Sequence, residues 1–209
     1  MAARKPWAST HTLAIYLIIL FSLVACQGNK QAPQTTSFDS SSFQEGDFIM
    51  RRGYGLVSTF IAKNYGGTHQ QSHVGIVVKR EAKLSVIHSI SKQLSNKEGV
   101  IEESLETFIA DAQPGNLYIY SPRPGSNPQR QLIAKTAKRL AAANTPFDME
   151  FNVQDTTQLF CTELVLYCLK KASPHDSLLN HPLKPLSKGL DLFDDSRLFS
   201  LKFVLSKKQ

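Results

Sequence analysis

Two short stretches decide how this chain is interpreted, Ser72-His73-Val74-Gly75-Ile76 and Phe160-Cys161-Thr162-Glu163-Leu164. The first is typical of the start of a buried strand that carries one histidine, because β-branched residues follow His73. The second predicts the first turn of an apolar helix that carries one cysteine. The positive end of a helix dipole favours a thiolate over a thiol, and a nearby imidazole can take up and return the thiol proton. We therefore expect Cys161 and His73 to act as nucleophile and base if the fold brings them together.

The segments around these stretches predict an α+β fold. Runs of β-branched and aromatic residues indicate five strands, at residues 46–50, 73–78, 84–90, 116–120 and 198–205. Helical spacing and end signals indicate four helices, at residues 53–65, 104–110, 128–143 and from residue 161 onward. This order of elements favours a small antiparallel sheet packed on helices.

The N-terminus has the pattern of an export signal. Arg4 and Lys5 precede an uncharged apolar run over residues 13–25, which is shorter than the roughly 20 residues of a bilayer span. The run ends in Leu23-Val24-Ala25-Cys26, which resembles a bacterial lipobox. Residues 1–25 would then be a lipoprotein signal peptide that is removed before Cys26. An ordinary secretory signal and an uncleaved anchor helix are the alternatives.

The lipobox resemblance implies a membrane anchor. Lipidation of the sulfur and the new amino group of Cys26 would attach several acyl chains, which hold a protein on a bilayer more firmly than one chain does. The residue after Cys26 is Gln27 and not an aspartate. In enterobacteria this favours sorting to the outer membrane. We expect a lipid-anchored protein of the bacterial cell envelope that faces the periplasm.

The remainder of the chain divides into a tether and a domain. Residues 28–45 are rich in Gln, Ser and Thr and contain few apolar residues, so we predict a flexible tether over residues 26–45. Residues 46–209 are long enough to form one domain with its own core. We expect this domain to be catalytic and monomeric.

The charge distribution limits the possible partners. The formal net charge is +7 at pH 7, but the basic residues are scattered in pairs along the chain. Proteins that bind nucleic acid usually concentrate their basic residues in one patch, so we expect no nucleic-acid partner. A mild attraction to anionic lipid or to an acidic polymer stays open, beside an ordinary solvated surface.

Two cysteines of the predicted domain are expected to be free thiols. Cys161 and Cys168 lie seven positions apart on one predicted helix, so their Cα atoms would be about 10.5 Å apart at ~1.5 Å per residue. A disulfide requires Cα atoms within ~7 Å. Cys168 is typical of a small core residue, whereas Cys161 in the first turn has functional potential.

A second histidine is the candidate for orienting the first. If the hairpin pairs residue 79 with residue 82, His88 lies directly opposite His73 on the same face of the sheet. A polar side chain in an otherwise apolar strand needs a partner. His88 is therefore interpreted either as the residue that orients His73 or as a hydrogen-bonded core or edge histidine.

Other polar residues near these stretches are assigned structural roles. Glu163 follows Cys161 by two helical positions, so it points away and fits a first-turn dipole partner. Asp148 and Asp155 in the preceding loop fit caps or backbone acceptors. His69 and His73 are four apart and with His88 could make three zinc ligands, but a loop leading into a strand does not place such residues on one helical face. We predict no metal and no cofactor.

Four groups of residues carry a family resemblance, namely Gly46-Asp47-Phe48-Ile49, Ser72 to Val77, Phe147-Asp148 with Phe151, and Leu159 to Val165. Together they resemble the permuted branch of the NlpC-type papain-like amidases, in particular the YaeF/YiiX-like proteins, some of which are lipoproteins. The resemblance implies a circularly permuted papain fold with Cys161 as nucleophile and His73 as base. It also implies a polar third residue, which is often Glu in this subgroup and His in related branches. In this chain the matching place holds His88.

Three functions follow as hypotheses. The first is a cysteine amidase or peptidase that acts on peptidoglycan stem peptides or another amide of the cell envelope. The second is a thiol-dependent lipid hydrolase or acyltransferase, because relatives with the permuted fold process acyl esters. The third is a non-catalytic ligand-binding lipoprotein on the same fold.

Overall fold

The computed structural model describes residues 40–152, 155–180 and 189–205. Its strands are β1 (Phe48–Arg51), β2 (His73–Arg80), β3 (Lys83–Ile90), β4 (Gly99–Ser104), β5 (Leu117–Pro122) and β6 (Phe199–Leu205). Its α-helices are α1 (Gly55–Tyr65), α2 (Leu105–Ala110), α3 (Asn127–Ala142), α4 (Cys161–Ala172) and α5 (Ser177–Asn180). The predicted signal peptide and Cys26 lie outside the described residues.

The described strands form one antiparallel sheet in the order β4-β3-β2-β1-β5-β6. Every residue of the central strand β1 is buried, because both faces of the sheet are covered. The predicted α+β class with an antiparallel sheet on helices is confirmed. No described helix combines the length and the apolar content that a bilayer span requires.

Each face of the sheet carries its own apolar cluster. On one face, α3 and α4 pack against strand residues such as Ile76 and Ile87. On the other face, α2 packs against residues such as Val77 and Val86. Neighbouring strand residues point to opposite faces, which explains why consecutive apolar residues of β2 enter different clusters.

The hairpin between β2 and β3 has a register that differs from the prediction by two positions. Arg80 pairs with Lys83 and Ile76 pairs with Ile87, so the expected pairing of residue 79 with 82, and of His73 with His88, is wrong. Two residues form the turn, and the first of them, Glu81, adopts a positive φ of 54°, the conformation that two-residue hairpin turns require. A shift of two leaves His88 on the expected face.

Strand β4 was not expected. The sequence pattern suggests a helix that begins near residue 104 with Glu102 and Glu103 at its positive end, whereas both glutamates lie in β4, paired to β3. The helix itself begins one residue later, and Ser104 caps it by accepting a hydrogen bond from Thr107 N–H. The acidic pair therefore belongs to the sheet.

The folded region also begins before residue 46. A 3-10 turn spans Ser40–Ser42, and Phe43 is buried with its ring edge-to-face to Phe203 at 5.3 Å. Glu45 forms an ion pair of 2.7 Å with Lys138. Burial of an aromatic side chain accounts for this early start, so the last residues of the predicted 26–45 tether are part of the domain.

Candidate active site

The two stretches that the sequence analysis singled out meet at one end of the sheet. His73 is the first residue of β2 and pairs with Arg51, the last residue of β1. Cys161 is the first residue of α4, and its thiol lies against the backbone N–H of Val74, which follows His73. His73 and Cys161 are both half-buried, so each keeps access to solvent.

A side-chain anchor holds the segment before Cys161 against the sheet. Ser89, next to His88 in β3, is fully buried and donates a hydrogen bond to the carbonyl of Leu159. Glu163 accepts a hydrogen bond from the N–H of Phe160 at 3.4 Å. These bonds fix the residues on either side of Cys161 at the helix start, and the predicted structural role of Glu163 agrees with its contact.

The ionisation of Cys161 differs from the sequence-based expectation. Burial raises the pKa of the Cys161 thiol to about 11, although the backbone N–H groups of Val74, Thr162 and Cys161 itself act in the opposite direction. A helix N-terminus stabilises a thiolate, but desolvation of the charged form is the larger effect here. The resting protein therefore holds a neutral thiol, and the expected thiolate is corrected.

His73 and His88 are joined by a hydrogen bond. His73 Nε2 and His88 Nδ1 are 2.8 Å apart, and the two rings meet edge to face with centroids 4.9 Å apart. Gly75 leaves the room for this arrangement, because a Cβ on it would lie 3.2 Å from His88 Cβ and 2.3 Å from Val86 Cγ1. His88 thus reaches His73 diagonally from the shifted register.

Glu103, which the sequence analysis did not select, lies behind His88. Its Oε1 atom is 3.1 Å from His88 Nε2, a separation within the range of an ion pair, although the geometry is not that of a hydrogen bond. Burial tends to raise the pKa of Glu103, but the interactions with His88 and Arg51 outweigh it and lower that pKa. Glu103 is therefore ionised at neutral pH. The alternation of β4 would have revealed it had the strand been recognised.

We assign the tautomers of both rings from the contacts of His88. A carboxylate only accepts hydrogen bonds, so Glu103, 3.1 Å away, favours the tautomer of His88 with its proton on Nε2. His88 Nδ1 must then accept from Nε2–H of His73, which leaves His73 Nδ1 without a proton. His73 consequently presents a basic nitrogen on the side of its ring away from His88, as a residue that accepts the proton of a thiol must.

Both histidines are neutral in the resting protein. Burial lowers the pKa of His73 well below its usual value, and the neighbouring His88 and Arg51 lower it further. Burial also lowers the pKa of His88, against the opposing effect of Glu103. The neutral imidazole is the form of histidine that can accept a proton.

Arg51 contacts Glu103, the acidic end of the series Glu103–His88–His73. Its guanidinium lies 3.8 Å from Glu103 Oε1 and 3.4 Å from Asp111 Oδ2. It donates a hydrogen bond of 2.7 Å to the carbonyl of Phe108 and sits 4.2 Å from the centre of the Phe108 ring. Arg51 therefore lies between the carboxylates of Glu103 and Asp111 and the ring of Phe108.

The other predicted candidates have separate contacts. Asp148 is buried and accepts hydrogen bonds from the N–H groups of Glu150 and Asn152 at 2.8 and 2.6 Å. Asp155 accepts from Thr157. Both contacts agree with the predicted roles as backbone acceptors.

His69 does not join His73 and His88. Its ring stacks on Tyr118 with centroids 4.2 Å apart. Within residues 40–152, 155–180 and 189–205, no group of three or more His, Cys, Asp or Glu side chains is arranged to hold a metal ion.

Cys168 has no part in this site. It is fully buried in the apolar cluster on which α4 packs, and burial raises its pKa strongly. Cys161 and Cys168 are both free thiols, as their helical spacing predicts.

The chain is similar to proteins of one known family. Residues 42–181 match the family described as permuted papain-like amidase enzyme, YaeF/YiiX, C92. A solved structure, metalloprotein yiiX from Escherichia coli O157:H7, has 21% sequence identity and a TM-score of 0.57, and the match covers 79% of this chain and 97% of that one. No curated protein matches the chain significantly. The family match spans more than half of the sequence, so this protein belongs to the YaeF/YiiX family of permuted papain-like amidases and is a hydrolase of the cysteine type.

Proposed function

We propose that the protein cleaves an amide bond of a cell-envelope substrate through a thioester on Cys161, with His73 as base. The observation that carries this proposal is the series Glu103–His88–His73, whose tautomers leave a basic nitrogen on His73, next to the residue whose backbone contacts the thiol. A nucleophile, a base and a third group that orients the base are the parts that acyl transfer requires.

In the first step, His73 Nδ1 takes the proton of the Cys161 thiol while the sulfur attacks the amide carbonyl. The carbonyl oxygen becomes an oxyanion, and we assign its stabilisation to the N–H groups of Cys161 and Thr162 at the start of α4. The C–N bond then breaks, His73 returns its proton to the leaving amine, and the acyl group stays on the sulfur. Water, deprotonated by His73, releases the acid and restores the thiol.

Because the pKa of the Cys161 thiol is raised, we propose that its proton moves to His73 during the attack. A thiolate–imidazolium ion pair does not exist before the substrate binds. With a thiol pKa of about 11, forming the thiolate at pH 7 without a partner costs about 5 kcal/mol. The charge that develops on the His73–His88 pair is stabilised by the carboxylate of Glu103. Glu103 and His88 are thus positioning residues that act through His73.

The cell-envelope location rests on the N-terminal sequence. The lipobox-like segment ending at Cys26 supports a lipid anchor on the bacterial envelope, where peptidoglycan stem peptides are the abundant amide substrates. A second function, hydrolysis or transfer of a lipid acyl group, is favoured by one observation. Large apolar side chains of α1 are exposed beside the site, where an acyl chain or a bilayer could lie.

The proposed mechanism uses side chains alone. Although the yiiX neighbour is described as a metalloprotein, His73 and His88 are bonded to each other and His69 stacks elsewhere. We expect that dialysis against a chelator leaves the rate of amide cleavage unchanged within about twofold, an effect too small to represent loss of a catalytic ion. A rate that collapses and returns with one added metal would contradict this mechanism.

The test is to compare the wild-type protein with Cys161→Ala on muropeptides, phospholipids and acyl thioesters. We expect Cys161→Ala to lose at least about 10³-fold in rate, with Cys168→Ser as the matched control that retains activity. Intact mass spectrometry of slow substrates should show an acyl adduct on Cys161. Cleavage of lipids alone would select the second function, and equal ligand binding without turnover in wild type and Cys161→Ala would select a non-catalytic binder.

A further inference from the structure

Helix α1 has its large apolar side chains on the outside. The residues that it buries are small, Ser58 and Ala62, whereas Leu56 is 89% exposed and Phe60 is 60% exposed. The spacing of these two residues predicts a helix, but a soluble helix normally turns such residues towards the core. Three further exposed apolar residues belong to this segment, Tyr54, Val57 and Tyr65.

This apolar face is attached to the end of the sheet that carries the candidate site. Helix α1 begins four residues after Arg51, which pairs with His73. The hydroxyl of Ser72, directly before His73, accepts a hydrogen bond from Gly53 N–H at 2.9 Å and is 2.5 Å from the Ser58 hydroxyl. A surface that binds the exposed side of α1 would therefore lie beside the end of the sheet at which β2 begins with His73.

Helix α1 itself carries one charged side chain, Lys63. Arg51, before the helix, is paired with Glu103 and Asp111, and Asp194 lies beside Gly67 and Thr68, after its end. Lys63 is exposed in the last turn of α1, on the same side as Leu56 and Phe60. Apolar and aromatic residues flanked by lysine are typical of helices that lie in the plane of a membrane interface.

We propose that the exposed face of α1 (Tyr54, Leu56, Val57, Phe60, Lys63 and Tyr65) docks onto an anionic phospholipid surface and turns the site end of the sheet towards the membrane. The sequence between Cys26 and Ser40 is compatible with this, because 14 residues extend at most roughly 48 Å at ~3.4 Å per residue. A domain anchored at Cys26 stays within that distance of a bilayer. The proposal concerns docking and does not depend on whether the cleaved bond is an amide or an ester.

A second copy of the chain fits this face less well. Protein interfaces deplete lysine, and in a symmetric dimer Lys63 would approach Lys63 of the second copy. The patch also belongs to one 11-residue helix, which is small for a stable protein–protein interface. Anionic lipid supplies both the apolar layer and the opposite charge. The lipid surface is therefore the occupant to which the proposal commits.

The test places a reporter on the helix. The single tryptophan of the chain, Trp7, lies in the predicted signal peptide. Trp7→Phe removes it also from any chain that is not cleaved, so that Phe60→Trp supplies the only tryptophan, on the exposed face of α1. The matched control combines Trp7→Phe with Leu132→Trp, at an exposed position of α3. Both full-length variants are reconstituted into phosphatidylcholine–phosphatidylglycerol vesicles whose acyl chains are brominated.

We expect the fluorescence of the α1 reporter to be quenched at least about twofold more than that of the α3 control. Adding Lys63→Glu to the α1 reporter should reduce this quenching on phosphatidylglycerol vesicles and leave it unchanged on pure phosphatidylcholine. Equal quenching of the two reporters would overturn the proposal. So would a dimer in detergent, measured by sedimentation, that Leu56→Asp abolishes. Cleavage of soluble muropeptides is measured in parallel, so that loss of docking and loss of chemistry are separated.

Discussion

At the residue scale, the reactivity of Cys161 depends on a competition between two local effects. The helix N-terminus stabilises negative charge on the sulfur, while burial withdraws the water that a thiolate needs. Burial dominates and raises the pKa to about 11. The position of a cysteine in a helix therefore identifies a possible nucleophile without revealing its resting charge.

Alkylation of Cys161 should accordingly depend steeply on pH. Because only the thiolate reacts, we expect the iodoacetamide rate at Cys161 to rise about tenfold per pH unit between pH 7 and 10 and to level off near 11. Peptide mass spectrometry separates Cys161 from Cys168, which is fully buried and should react more slowly. A rate that is already constant at pH 8 would contradict the neutral resting thiol.

Glu103 should affect turnover through the two histidines. In Glu103→Gln the carboxylate that stabilises the charged histidine pair is lost, so we expect kcat to fall about 10- to 100-fold, in the range of other groups that act behind a reacting residue. The control is Glu102→Gln at the neighbouring position, which pairs with exposed Arg80 and should change kcat less than about twofold.

The pH profile distinguishes a positioning role of Glu103 from a merely structural one. Glu103 raises the pKa of His88, so its removal should move the acid limb of kcat/KM to lower pH. The contrary result is a loss of activity that matches the unfolded fraction of the variant, with the acid limb of kcat/KM unchanged. Glu103 would then stabilise the fold and have no effect on the ionisation of the histidines.

At the scale of elements, the β2–β3 hairpin determines which side chains meet. Its two-residue turn moves the register by two positions from the expected one, and the contact between His73 and His88 then depends on Gly75. Strand β4 adds Glu103 to the same face. Helix α4 contributes its first residue and the N–H groups of its first turn.

Gly75→Ala should disturb the hairpin and the site together. The new methyl group would lie 2.3 Å from Val86 Cγ1, so strand or side chain must move, and we expect a loss of about 1–3 kcal/mol in the free energy of unfolding. Activity should fall by more than the fraction of protein that this loss of stability unfolds, because His88 is displaced as well. The control Gly115→Ala has no atom within 4 Å of its new methyl group and a φ of +71°, so it tests backbone strain alone. Denaturant titration and turnover of both variants are the measurements.

At the scale of the whole molecule, the hydrogen-bonded pair of His73 and His88 should make stability depend on pH. The pKa values of His73 and His88 are lowered in the folded protein, so between the unfolded value of ~6.5 and those lower values the unfolded chain binds more protons. Stability is then fully present above pH ~6.5 and decreases as the pH falls.

We expect the free energy of unfolding to decline between pH 7 and pH 5, with a slope of at most about 1.4 kcal/mol per pH unit for each histidine. Carboxylates with lowered pKa, such as Glu102 and Glu103, begin to contribute only nearer pH ~4.5 and below, so this window reports the histidines. Denaturant titrations of wild type and His73→Gln measure it, and a slope that His73→Gln leaves unchanged would contradict the assignment.

The predicted elements differ in how well local patterns specify them. Strands β2 and β3 and helix α3 have clear periodicity, and the structure places them within a few residues of the prediction. Strand β4 has two glutamates in a row, which local patterning favours at a helix start. Its strand character comes from pairing with β3, a contact that the sequence of β4 does not contain.

The sequence by itself determined the α+β class, the two free thiols, and His73, His88 and Cys161 as candidates, because periodicity is local and these side chains have distinctive chemistry. Only the tertiary structure decided that the thiol is neutral, that His88 reaches His73 past Gly75, and that Glu103 and Arg51 stand behind them. Burial and hydrogen-bond partners come from residues distant in the chain. The ionisation and orientation of a reactive group are therefore properties of the fold.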